Sequence, residues 1–184
     1  MIRLIKHLRR FRDDERGSIA VETVLIIPAL FWAYLAMFAT FDAYRQHAVG
    51  IKAAYTIGDI ISRETTPLNV DYLTGTRKLL AYLTANEETD VAVRITSIKY
   101  NGTDKEYRRH WSRKRGWMPA LTDEQVNDMA YRLPVLPHNE HIMLVETFVK
   151  YDPPFDTGLK AREIHNAVFT RPRYAPRVLW SSDG

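Results

Sequence analysis

The sequence predicts an α+β fold in which a long N-terminal transmembrane helix continues into a soluble domain with further helices and a small antiparallel sheet. Three observations predict it. The stretch from Ile19 to Phe41 carries no Lys, Arg or Asp, a single Glu and a single Pro. As a helix rising about 1.5 Å per residue it extends roughly 35 Å, enough to cross a hydrocarbon core of about 30 Å with some tilt. Beyond it, Tyr44, Ala48, Ile51 and Tyr55 recur at helical spacing on one face, so the helix should run on to about residue 63, half embedded and half packed on the soluble domain. Later segments switch to β-branched alternation, which is the signature of strands.

Charge places the helix. The chain of 184 residues has a formal net charge of +4 and no cysteine, so disulfides and thiolate metal sites are excluded and compartment must be read from targeting signals. Residues 1–17 hold Arg3, Lys6, Arg9, Arg10, Arg12 and Arg16 against Asp13, Asp14 and Glu15. The excess cations therefore sit mostly in a leader immediately before the apolar run. By the positive-inside rule that end stays in the cytoplasm, and everything after Phe41 faces the opposite side. The predicted division is a cytoplasmic leader 1–17, a span 18–41 and an outer domain 42–184. A cleavable secretory signal peptide is the competing reading, but the run is too long for one and no A-x-A site ends it.

The outer domain reads in order. Thr65-Thr66-Pro67 ends the long helix. Asn69 caps a second helix reaching about Ala85, with Val70, Leu73, Leu80 and Leu83 available for burial and Gly75 as a weak point. "VAVRITSI" (91–98) is a strand leading to an Asn101-Gly102 turn, and "KEYRRHWSRKRGW" supplies its partner. A Thr122 to Gln125 capping box opens a short helix with Val126, Met129 and Ala130 on its apolar face, ended by Pro134. Ile142 to Tyr151 is the strongest strand, stopped by Pro153-Pro154, and "EIHNAVFT" makes the last.

One acid, Glu22, stands inside the apolar run, where an ionised carboxylate costs a few kcal/mol and signals function by default. It lies five residues after Gly17. The pattern Arg16-Gly17 followed by Ser18, Ile19, Ala20, Val21 and Glu22 resembles the processing site of the type IV pilin superfamily, and "RGSIAVETVLIIPALF" is most similar to TadE-like and TadG-like membrane proteins of Tad (Flp) pilus systems. "TIGDIISR", "VETFVKY" and "TRPRYAP" resemble phrases of longer members of that family. The resemblance implies a pilin-like shape, cleavage by a prepilin peptidase after Gly17 at the cytoplasmic face, a new N-terminus at Ser18, and assembly with other pilins on an inner-membrane platform driven by a cytoplasmic ATPase. A free ammonium at Ser18 would sit about one helical turn from Glu22 and attract its carboxylate strongly in low dielectric, within one chain or between neighbours. The other reading of Glu22 is a headgroup-level residue that complements the dipole of the first helical turn. Ser18 departs from the large apolar residue many pilins carry at that position. Pro28 removes one helical hydrogen bond and is read as a bend.

Other chemistries find little footing. There is no cysteine nucleophile, no G-x-S-x-G elbow and no phosphate-binding glycine loop, so no enzyme activity, cofactor or small-molecule substrate is expected. His138-x-x-His141 has the look of a metal pair without a third ligand. The run Lys105, Arg108, Arg109, Arg113, Lys114 and Arg115, interleaved with Tyr107, Trp111 and Trp117, has the composition of a single-strand nucleic-acid site. It reads better as a solvated hairpin whose aromatic side packs inward, and no nucleic-acid partner is expected. Asn101-Gly102-Thr103 is formally a glycosylation sequon. Two classes survive: a minor pilin or pseudopilin, and an uncleaved single-pass protein whose outer domain binds a ligand or envelope component.

Overall fold

The computed structural model describes residues 18–182. The leader and Gly17, and with them the predicted cleavage junction, lie outside the described residues. A single helix, α1, runs from Ser18 to Ser62 with Pro28 inside it. Every side chain from Val21 to Tyr34 is exposed, and of the most apolar 18-residue stretch only 6% is buried within the protein. A helix that is apolar all round and covered by nothing is not the core helix of a soluble domain. It is a membrane-spanning N-terminal helix.

The chain divides into two compact units, one comprising the chain up to Asp42 with Pro153–Lys160, the other Ala43–Asp152 with the chain from Ala161 on. In the second unit α2 spans Val70–Thr84, with the Asn69 side chain accepting from the Tyr72 N–H at its start and Ala85 in the left-handed conformation at its end. Leu73 and Leu80 are buried, whereas Val70 is exposed and Leu83 half-buried. Four strands follow: β1 (Val91–Asn101), β2 (Glu106–Arg115), β3 (His141–Tyr151) and β4 (Arg162–Thr170), with a short helix α3 (Asp123–Asp128) between β2 and β3. The sheet is antiparallel throughout in the order β2-β1-β3-β4. The Thr122–Gln125 capping box is formed in both directions. Its helix lays the wholly buried Val126 into a cluster with Tyr107, Leu121, Leu136 and Ile142, which covers one face of the sheet.

The other face receives the C-terminal half of α1, on a different stripe from the one predicted. Tyr44 and Tyr55 are 71% and 62% exposed, Ala48 is exposed and Ile51 only half-buried. Instead Ala43, Ala53, Ala54, Ile57 and Ile61 are buried, with Gly50 and Gly58 among them. A methyl group at Gly50 would come within 2.7 Å of Asn166 Nδ2, and one at Gly58 within 3.6 Å of Val168 Cγ1. The helix lies so close to β4 that small residues, not the large aromatic ones, define its packing face.

The predicted Asn101-Gly102 turn is also corrected. Asn101 ends β1, and the reversal takes the four residues Gly102 to Lys105. The Asn101 side chain holds it from within, accepting from the Thr103 N–H and donating to Asp104, while Lys105 takes the positive φ, 56°. Asx-type bonding thus replaces a glycine-centred two-residue turn.

Two glycines test how the domain is packed. Nothing lies within 4 Å of a methyl group placed on Gly75, which is exposed inside α2, so Gly75→Ala should stabilise the fold by about 0.5–1 kcal/mol. Gly116 has φ of 117°, and a methyl there would meet Ala92 Cβ at 2.4 Å. Gly116→Ala should destabilise by about 1–3 kcal/mol through strain and overlap. Urea unfolding of the two variants checks the opposite signs.

Candidate functional site: the start of the apolar helix and the buried charges of the sheet

Ser18 is the first residue of α1, and Glu22 stands one turn later, exposed among exposed apolar neighbours. At an i, i+4 spacing the two positions share one helix face. Of the predicted processing and assembly residues, the two that are described, Ser18 and Glu22, both lie in the first two turns of α1.

The sheet holds a second polar constellation that sequence reading passed over. Arg94 and Glu146 face each other across β1 and β3, 6% and 2% exposed. The pair is bidentate, with Arg94 Nε donating to Glu146 Oε2 at 2.6 Å and Nη2 to Oε1 at 2.7 Å. A third donor, Nη1, reaches the Pro119 carbonyl at 2.8 Å. His165 of β4 approaches Glu146 Oε1 at 3.1 Å and stacks on Phe148 with ring centroids 4.5 Å apart. Arg94 also lies over the Phe148 ring, 5.3 Å from its centroid. Burial alone would raise the Glu146 carboxyl, but hydrogen bonds and charge from His165 and Arg94 outweigh it and hold the group below its ordinary value. The signal was available: one Arg centred in "VAVRITSI" and one Glu centred in "IMLVETFVKY", each inside an otherwise buried strand.

The two histidines of His138-x-x-His141 make different contacts. His138 Nδ1 accepts from the Gly102 N–H at 3.0 Å. His141 is 7% exposed, meets His110 edge to face at 5.2 Å, and has no hydrogen-bond partner at Nδ1. Among the described residues no group of three His, Cys, Asp or Glu is placed to hold a metal. Both residues line an open cleft of about 660 Å3 together with Glu140, Arg171, Pro137 and Pro176. Burial, then the charges of His110, Arg177 and Lys99, lower the His141 pKa to about 4.

The basic aromatic run forms a hairpin strand that turns two of its three rings inward, whereas Trp117, beyond the end of the strand, is 38% exposed. Tyr107 and Trp111 are buried, the Tyr107 hydroxyl donating to the Pro134 carbonyl and Trp111 Nε1 to the Val178 carbonyl. Arg108, Lys114 and Arg115 are exposed, and Arg113 lies over the Trp180 ring. Comparison with protein-family models, with curated proteins and with solved structures finds no match to this chain.

Arg94→Met alone strands a buried carboxylate and should cost about 3–5 kcal/mol, whereas Arg94→Met combined with Glu146→Leu should recover most of that loss; a double-mutant cycle in urea measures it. The pH dependence has a definite sign. The unfolded His141 imidazole takes its proton near 6.5 and the folded one only near 4, so the unfolded state binds more protons in between and stability falls as pH drops from 6.5 to about 4. Glu146 adds its loss only below its unfolded value of 4.5, as pH falls through its depressed folded pKa. His141→Phe should flatten the upper part of that slope and leave the lower part in place.

Proposed function

We propose that this chain is a membrane-anchored assembly protein of a Tad (Flp)-type pilus, a minor pilin or pseudopilin, processed after Gly17 by a prepilin peptidase. The observation that carries the reading is the presentation of Glu22. It is exposed among exposed apolar side chains of the helix, one turn from Ser18. A residue so placed contributes nothing to its own domain's core, yet within a bilayer it costs a few kcal/mol. A partner compensates that cost, and the Ser18 ammonium created by cleavage is the nearest candidate, its own or a neighbour's. Pairing in low dielectric rewards correct axial register between packed helices.

In this reading the leader stays in the cytoplasm, α1 lies in the bacterial inner membrane, and the domain beyond Phe41 is periplasmic or carried into the pilus. Its partners are the peptidase, other pilins and the assembly platform. The pilin resemblance of residues 16–31 and the architecture of an apolar helix leading into a small antiparallel sheet support it.

Mass spectrometry of the purified chain should find Ser18 as the N-terminus in cells that hold the cognate peptidase, with Gly17→Leu blocking cleavage. Glu22→Gln should leave insertion, cleavage and the melting of the outer domain unchanged while pilus output falls. A full-length N-terminus in peptidase-positive cells would assign the chain instead to uncleaved single-pass anchors with an outer binding domain. Normal piliation by Glu22→Gln would make Glu22 a headgroup-level residue.

A further inference from the structure

The connection between β3 and β4, Pro153–Lys160, belongs to the same compact unit as the apolar part of α1. Within that unit the Phe155 ring meets Phe38 of α1 at a centroid distance of 5.8 Å and an angle of 64°. Phe38 lies three residues before Phe41, the last residue of the apolar run, which is about 4.5 Å along a helix axis. The contact is therefore made just inside the outer margin of the span. It leaves both rings partly open, Phe38 47% and Phe155 40% exposed, although Ala39 beside them is wholly buried.

We propose that Pro153–Lys160 is a membrane-interface element, with Phe155 seated at the outer boundary of the hydrocarbon and a lipid surface as its partner. Aromatic rings favour that depth, where an apolar body meets the headgroups. The backbone of the loop suits it as well. An N–H without a partner is costly in hydrocarbon, and Pro153 and Pro154 have none to leave unpaired. Gly158, at φ 92° with open space where a side chain would be, allows the loop to reverse without placing a bulky group against the bilayer. Charge sets the depth. Asp156 and Lys160 are exposed on either side of the reversal. The carboxylate must stay in water and the lysine stem can snorkel along the boundary, so the ring enters only as far as the headgroup edge. The chain then meets the bilayer at two points rather than one.

This inference rests on α1 crossing a bilayer, and the test separates the two. The chain has no cysteine, so single-cysteine variants of the full-length protein carry a nitroxide at one chosen place. Labels at Phe155→Cys, at Leu30→Cys in mid-span and at Tyr131→Cys, where the native side chain is 85% exposed, would be compared in vesicles of phosphatidylethanolamine and phosphatidylglycerol. Collision with oxygen, which concentrates in lipid, is measured against collision with a water-soluble nickel chelate. The oxygen-to-nickel ratio at 155 should be several-fold above that at 131 and approach that at 30. Thr157→Cys, which keeps the native phenylalanine, should give an intermediate ratio. Water-like ratios at both 155 and 157 with a lipid-like ratio at 30 would overturn the interface element and leave the span standing. A water-like ratio at 30 as well would overturn both.

Discussion

A helix exposed on every side from Val21 to Tyr34, and apolar there apart from Glu22 and Thr23, sets the terms for the rest of the molecule. Left in water, such a surface forfeits roughly 25 cal/mol for each Å2 that a hydrocarbon solvent would cover. The bilayer satisfies the constraint without any protein partner, because α1 pairs its own backbone groups internally. Glu22 acquires meaning only against this background. On a water-exposed helix it would be an ordinary surface acid, whereas within a span it needs a counter-charge or a place at the headgroups.

The domain beyond the span solves the opposite problem, fixing one arrangement of four antiparallel strands. Strand pairing alone tolerates slippage, and a one-residue shift would turn every side chain to the wrong face. The bidentate contact between Arg94 and Glu146 is satisfied only in the observed register, where the two residues are direct partners. A slipped pairing would leave a buried charge on each strand without its counterpart, a cost of several kcal/mol. The same register leaves Ala92 directly beneath Gly116 and puts Thr96 opposite Ser112, whose hydroxyls share a hydrogen bond at 2.8 Å. Close approach of α1 to β4 at Gly50, with ordinary contact at Gly58, then seats the C-terminal half of the long helix on the sheet.

What the sequence disclosed were the features determined locally. The extent of α1, the Asn69 cap, the Thr122–Gln125 box and all four strands follow from caps, breakers and alternation within a few residues. The packing face of α1 did not, because hydrophobic periodicity favours large side chains such as Tyr44 and Tyr55, while the sheet selects small ones at Ala43, Gly50, Ala54 and Gly58 for closeness. The turn after β1 was placed correctly but given the wrong form, since the Asn101 side chain organises four residues instead of a glycine organising two. The Arg94–Glu146 pair joins residues 52 apart in sequence, and its partnership exists only once β1 and β3 are in register. Of the candidate site, the one-turn relation of Ser18 to Glu22 was legible from helical geometry, whereas a partner for either residue is not encoded in any local pattern.

The proposed topology has the apolar half of α1 crossing a membrane and the α+β domain on the outer side. Protease added to intact spheroplasts, followed by mass spectrometry of the peptides that remain with the membrane, tests this most directly. The account predicts loss of the domain beyond Phe41 and survival of a protected fragment that covers residues 18–41. A domain that stays intact until the cells are permeabilised, or a whole chain released by an alkaline carbonate wash, would contradict it.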